Sequence, residues 1–156
     1  DYLENLYRAA PMHDIGKIGI PNAIINKTSK LSDEEYNLIK AHPQIGAGIL
    51  QNMDEIEGVS IGAHWHHERY DGKGYPTGAK GTEIPVGARI LAICDSIDAM
   101  TSNRCYRKAL SFEYCYGEIE KNLGKTYDPI IGRYVMDNWK EVIYVVRNEN
   151  EYTKTI

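Results

Sequence analysis

"IPVGARILAICDSIDAMT" (residues 84–101) decides the fold class. Ile84-Pro85 opens a helix, since a proline at a helix start gives up no hydrogen bond the first turn would have made. From Gly87 to Cys94 the run is apolar all round apart from Arg89. A helix apolar on every face belongs at the centre of a helical protein. Asp95 follows on the same helix, and a carboxylate in that setting needs a partner. Asp98 lies three residues on, on the same face. A salt bridge to Arg104 or Arg107 accounts for Asp98 more readily than for Asp95.

Outward from this helix the pattern stays helical. Leu3, Leu6, Tyr7 and Ala10 recur at helical spacing near the start, with no cap before them, so the sequence reads as a fragment beginning mid-helix. Ser32 and Glu35 have capping-box spacing, and Leu31 and Tyr36 can form the hydrophobic staple of a helix reaching about Ala41. There Pro43 discourages its predecessor from staying helical. Further helices are expected over Gln44–Gln51 and Glu55–Trp65. Residues 69–83 carry four glycines and a proline, and read as a long irregular loop. Ser111 caps a helix to about Leu123. Asp128-Pro129 opens another toward Trp139. Val142–Val146 reads equally as a short strand or a helical tail, and the residues after Arg147 as frayed. The domain is placed at 1–147, with a polar tail over 148–156.

The chain has 156 residues, 42% apolar and 26% charged, which fits one packed domain. A formal net charge of −4 excludes a generally basic surface that would coat a nucleic acid polymer. No apolar run approaches a bilayer-spanning length. Cys94, Cys105 and Cys115 are odd in number and not closely paired, as expected of reduced thiols in a cytoplasmic protein.

The chemistry gathers around imidazoles. His64, His66 and His67 are three of five histidines in the chain. Protonating them together is costly, and binding a metal in the neutral form resolves this. His64 sits about 200° around the helix from His66, so it is expected to pack elsewhere. His13 and Asp14 are adjacent, about 100° apart on a helix. They converge on one metal only if the helix ends there and the backbone bends, which Gly16 and Gly19 are positioned to allow. Imidazole with carboxylate suits Fe, Mn or Zn. His42 alone reads as a helix-terminal histidine. Lys17, Lys73, Arg104, Arg107 and Lys108 flank these positions. Metals ringed by basic side chains are what hydrolysis of a phosphate ester needs.

Together "LYRAAPMHDIGKIGIP" (6–21), "HPQIG" (42–46), "HHERYDGKGYP" (66–76), "IPVGARILAICDSIDAMTSNRCYRKAL" (84–110) and "GKTYDP" (124–129) closely resemble the HD-GYP family of the HD phosphohydrolase superfamily. The resemblance spans almost the whole chain in order. It implies an all-α HD-domain bundle with a long Gly-rich loop and its first helix or helices missing. It implies hydrolysis of a cyclic dinucleotide, typically cyclic di-GMP, to the linear dinucleotide or GMP, in bacterial second-messenger signalling. It also implies two or three divalent metals, iron or manganese foremost, with Zn, Ni or Mg admissible in a preparation. His13, Asp14 and Asp95 match the ligands of one metal, with Asp14 bridging. His42, His66 and His67 match those of a second. Lys17 matches the lysine near the scissile phosphate, and Arg104 and Arg107 match phosphate contacts. Asp71, Gly72, Gly74, Tyr75 and Pro76 form the signature loop, tied to site shape and protein partners.

Two departures stand out. The family's HD site takes a further histidine from an upstream helix, and none of the twelve residues before His13 is histidine. Loss of that ligand would weaken one metal position, and missing helices would bare apolar surface and favour a homo-oligomer. Cys105 stands where many members have proline, with little effect expected. A non-catalytic signalling module that binds nucleotide or a protein is the competing reading. A general HD nucleotidohydrolase fits the intact Gly-Tyr-Pro loop less well.

Overall fold

The computed structural model describes residues 2–53, 58–103 and 107–152, with side chains up to residue 148. Every extended element among them is helical, and β character is confined to isolated bridge positions, at Leu123 with Tyr127 and at Arg107. Helix α1 covers Tyr2–Ala9 and passes through two 3-10 turns, Ala10–Met12 and Ile15–Gly19. Helices α2 (Asn22–Ile25), α3 (Asp33–Ile39), α4 (His42–Leu50) and α5 (Val59–Trp65) follow. After the glycine-rich loop come α6 (Val86–Thr101), α7 (Phe112–Lys121), α8 (Pro129–Asp137) and α9 (Trp139–Tyr152).

Local chemistry sets most boundaries. Ser32 accepts from Glu35 N–H and Glu35 accepts from Ser32 N–H, the reciprocal cap expected from the spacing. Asp128 caps α8 through Ile130 and Ile131 N–H at 2.8 and 3.2 Å. Helix α4 begins at His42 rather than Gln44, because Pro43 falls in its first turn, where no N–H is needed. Helix α5 begins at Val59, after Gly58 in a left-handed conformation (φ 80°), and residues 55–57 lie outside the described ones. Val142–Val146 is helical, inside α9, whose backbone continues past Arg147 to Tyr152. Helix α1 buries Ala9, while Leu3 and Tyr7 stay exposed.

Two cores result. Ile93 and Ile97 of α6 pack with Cys115, Ile119, Tyr127 and Met136, drawing α7 and α8 onto α6. A second core joins Ala9, Leu50, Val59 and Ala63. Helix α6 thus lies centrally, as its apolar run predicts, although Cys94 faces out. Arg89, the lone charge in that run, reaches the Asp128 carboxylate and donates to the Ile84 carbonyl at 2.9 Å. Helices α4 and α5 pack on each other, and α4 packs on the Ile15–Gly19 turn. The start of α4, the end of α5, the middle of α6 and that turn define the site.

Candidate metal centre

Gly16 brings the first two pieces together. A Cβ there would lie 1.9 Å from the His42 carbonyl oxygen and 2.5 Å from Gly46 N. Only glycine lets the Ile15–Gly19 turn lie directly on α4, which sets Asp14 against His42. The need is for space: Gly16 is not among the positive-φ glycines. His66 and His67 follow at the end of α5, and α6 contributes Asp95.

Backbone carbonyls fix three of the imidazoles. Nδ1–H of His13 donates to Ala10 O (2.6 Å), that of His42 to Ile39 O (2.7 Å), and that of His66 to Ala63 O (2.9 Å) and Gly62 O (3.1 Å). A carbonyl can only accept, so each neutral ring presents its Nε2 lone pair on the other side. The Nε2 atoms of His42 and His66 lie 3.2 Å apart. Two lone pairs at that distance repel unless a cation stands between them. A proton is a poor candidate at neutral pH: burial first, then the charge on His13, push His66 down to about 4. Burial and the neighbouring His66 and His42 push His67 to about 3.

Asp14 supplies the missing sign of charge. Its Oδ1 is buried with no hydrogen-bond partner, 3.3 Å from His42 Nε2 and 3.7 Å from His66 Nε2. One ligand atom each from Asp14, His42, His66 and His67 falls within 4.8 Å of the others. Asp14 Oδ2 turns the other way, to Lys17 Nζ at 2.5 Å and His13 Nε2 at 3.5 Å. His13 Nε2 is also 3.6 Å from Asp95 Oδ1. Burial opposes charge on His13, but the Asp95 and Ala10 contacts outweigh it and raise its pKa. Burial likewise opposes charge on Asp14, yet contacts with His42 and Lys17 hold its carboxyl well below the ordinary value. An orphaned buried carboxylate oxygen among converging lone pairs fits a divalent cation. The Asp14 carboxylate lies between two donor groups, with His13 and Asp95 on one side and His42, His66 and His67 on the other.

The loop closes over His67. Tyr75 stacks on the His67 ring, centroids 4.8 Å apart, and Tyr75 N–H donates to His67 O at 3.2 Å. At Gly74 a Cβ would stand 2.4 Å from Arg69 N and 2.6 Å from His67 O, so the close approach requires glycine. Asp71 takes both guanidinium contacts of Arg69, at 3.0 and 2.8 Å. Tyr70 and Asp71 N–H donate to Thr126 and Lys125 O, tying the loop to the "GKTYDP" stretch.

Other expected positions fall as follows. His64 packs edge-on against Trp65 and is outside the cluster. Asp98 accepts from Ser102 Oγ. Arg107 donates to the Ala99 carbonyl at 2.5 Å, and Arg104 and Cys105 lie outside the described residues. Glu68 went unnoticed in the sequence, although it directly follows His67. It is buried, and its carboxylate accepts from Thr77 N–H (2.6 Å), Thr77 Oγ1 (2.8 Å) and Gly78 N–H (3.1 Å). Its partners lie nine and ten residues along an irregular loop, where no periodicity could have pointed to them.

Comparison with known proteins agrees with this architecture. A family model described as HD domain matches residues 2–131. A cyclic di-GMP phosphodiesterase of Thermotoga maritima is 40% identical over 153 residues, which are 96% of this chain and 41% of that protein. A cyclic di-GMP phosphodiesterase response regulator of Xanthomonas campestris is 42% identical over 123 residues, 78% of this chain and 32% of its own. A 3'3'-cGAMP-specific phosphodiesterase of Vibrio cholerae is 39% identical over 124 residues, covering 80% and 27%. The chain therefore spans less than half the length of these relatives. The crystal structure of a cyclic GMP-AMP-specific phosphodiesterase of Vibrio cholerae superposes with a TM-score of 0.64 at 22% identity, over 89% of this chain and 38% of that one, and shares its fold. The all-α HD-domain bundle expected from the sequence is borne out, and the chain belongs to the HD domain family, related within it to cyclic-dinucleotide phosphodiesterases.

Proposed function

We propose that the chain is the hydrolytic part of a metal-dependent phosphodiesterase that opens a cyclic dinucleotide, cyclic di-GMP foremost, to the linear dinucleotide or GMP. The observation that carries this reading is the Asp14 carboxylate, orphaned at Oδ1 and facing converging imidazole nitrogens. The relatives, whose names specify cyclic di-GMP or 3'3'-cGAMP, supply the substrate class.

In this reading His42, His66 and His67 hold one divalent ion, His13 and Asp95 another, and Asp14 lies between them. The mixed imidazole and carboxylate set suits iron or manganese. Such ions, when bound, polarise phosphoryl oxygens and lower the pKa of water toward neutrality. Lys17, held on Asp14 Oδ2 and more than a third exposed, is placed to offer a proton or positive charge to the leaving 3′-oxygen. Arg107 and Arg104 would clamp the other phosphate in a bidentate manner. For Arg107 this means leaving the Ala99 carbonyl. Protein partners at the Gly-Tyr-Pro loop, self-association through exposed Leu3 and Tyr7, and a cytoplasmic location with reduced Cys94 and Cys115 belong to the same reading. No helix among the described residues is long and apolar enough to cross a membrane.

The test is hydrolysis of cyclic di-GMP by the manganese- or iron-loaded parent protein and its Asp14→Ala variant. The variant should lose metal and at least about 10²–10³-fold in turnover. Undiminished turnover would sink the assignment.

A further inference from the structure

We infer that Glu68 is a positioning residue for the metal centre: its carboxylate locks the glycine-rich loop so that Tyr75 holds His67 in place. This rests on the metal-centre reading and extends it to a residue that touches neither metal nor substrate.

Glu68 is only 3% exposed, although it is charged and next to an irregular loop. A buried carboxylate in such a place is costly unless fully satisfied. Here the satisfaction is specific. Thr77 N–H, Thr77 hydroxyl and Gly78 N–H all converge on it, so the far end of the loop is fastened to the residue beside His67. Between the two ends the chain is held back against residues 67–69. Gly74 lies against the backbone of residues 67–69, and Tyr75 N–H reaches His67 O.

His67 needs this support more than its neighbours do. His13, His42 and His66 each have Nδ1 tied to a backbone carbonyl. The contacts that define the His67 ring are aromatic: His66 at 4.1 Å, His42 at 5.0 Å and the Tyr75 stack at 4.8 Å. The stack stands in for the carbonyl tether, and Glu68 fixes the stack. Outer partners of this kind orient a ligand and typically change metal affinity about 10–100-fold when removed.

The test is a titration with manganese(II) alone, with free ion counted by electron paramagnetic resonance. It compares the parent chain, Glu68→Ala, His67→Ala and the double variant. Glu68→Ala should weaken the tightest manganese about 10–100-fold. In the His67→Ala background, the same change should have no further effect, since the ligand it positions is gone. Glu68→Gln keeps one acceptor oxygen and should fall between, and it serves in the same cycle should Glu68→Ala fail to fold. Additive losses would mean a merely structural role and overturn the inference, as would unchanged affinity in Glu68→Ala and Glu68→Gln. A parent chain that takes up no manganese would overturn the metal-centre reading itself, a separate and recognisable failure.

Discussion

The two halves of the site are built differently. His42 and His66 are 0% and 3% exposed, with their rings tied to the carbonyls of Ile39, at the end of α3, and Ala63, in α5. Across Asp14, the side chains of His13 and Asp95 keep 19% and 29% of their exposure, and that of Lys17 keeps 43%. Closed, fully ligated metal positions hold structure, whereas catalytic ones keep a side open. In the proposed reading, the difference gives retention of a metal to the α4–α5 half and access of a phosphate to the His13–Asp95 half. Asp14, with one oxygen toward each, is where they meet.

The largest effect should come from breaking both halves at once. Asp14→Asn should cut hydrolysis by about 10²–10³-fold or more and lower metal content in the same preparation. A variant that kept its metal and lost only turnover would show that Asp14 serves one half alone. Next, His66→Ala should cost more metal affinity than Asp95→Asn, while Asp95→Asn should act chiefly on kcat. Calorimetric titration with manganese and steady-state kinetics together read the split, and equal losses would erase the distinction. Gly16→Ala forces a methyl into the His42 carbonyl and should cost about 1–3 kcal/mol of stability, measured by denaturant unfolding. Because that contact joins the halves, metal affinity should drop with it.

The smallest effect is in the pH dependence of the metal-free fold. His66 and His67 have folded pKa values near 4 and 3, below the ordinary value of about 6.5. As pH falls below about 6.5, the unfolded chain takes up protons that these buried rings refuse, so stability declines toward pH 4. His13, raised by Asp95 and Ala10 despite burial, works with the opposite sign. Removing His66 should flatten the acid decline, and removing His13 should steepen it, in chelator-treated protein followed by thermal unfolding.

Much of this is legible in the sequence because the proposed ligands other than Asp95 sit where helices and 3-10 turns begin or end, and such boundaries have local signals. The buried α6 run, the Ser32–Glu35 cap and Asp128-Pro129 are all near-neighbour patterns. His64 could be set aside by its angle from His66 alone. What the sequence hid depends on contacts between distant segments. Gly16 reads as a hinge until α4 is laid across it. Arg89 reads as a blemish in an apolar run until Asp128 meets it. Glu68 reads as an ordinary charged residue until the loop folds back on it. The sequence pattern puts the start of α4 at Gln44, two residues late, for a local reason: proline before Gln44 marks a first turn as well as a break.

The central claim is that Asp14 joins two metal positions of unequal openness. Anomalous diffraction at the iron edge from crystals grown with iron(II) tests it most directly. Two peaks flanking the Asp14 carboxylate, the stronger among His42, His66 and His67 and the weaker beside His13 and Asp95, are the predicted result. Peaks elsewhere, or none at Asp14 in crystals that contain iron, would contradict it.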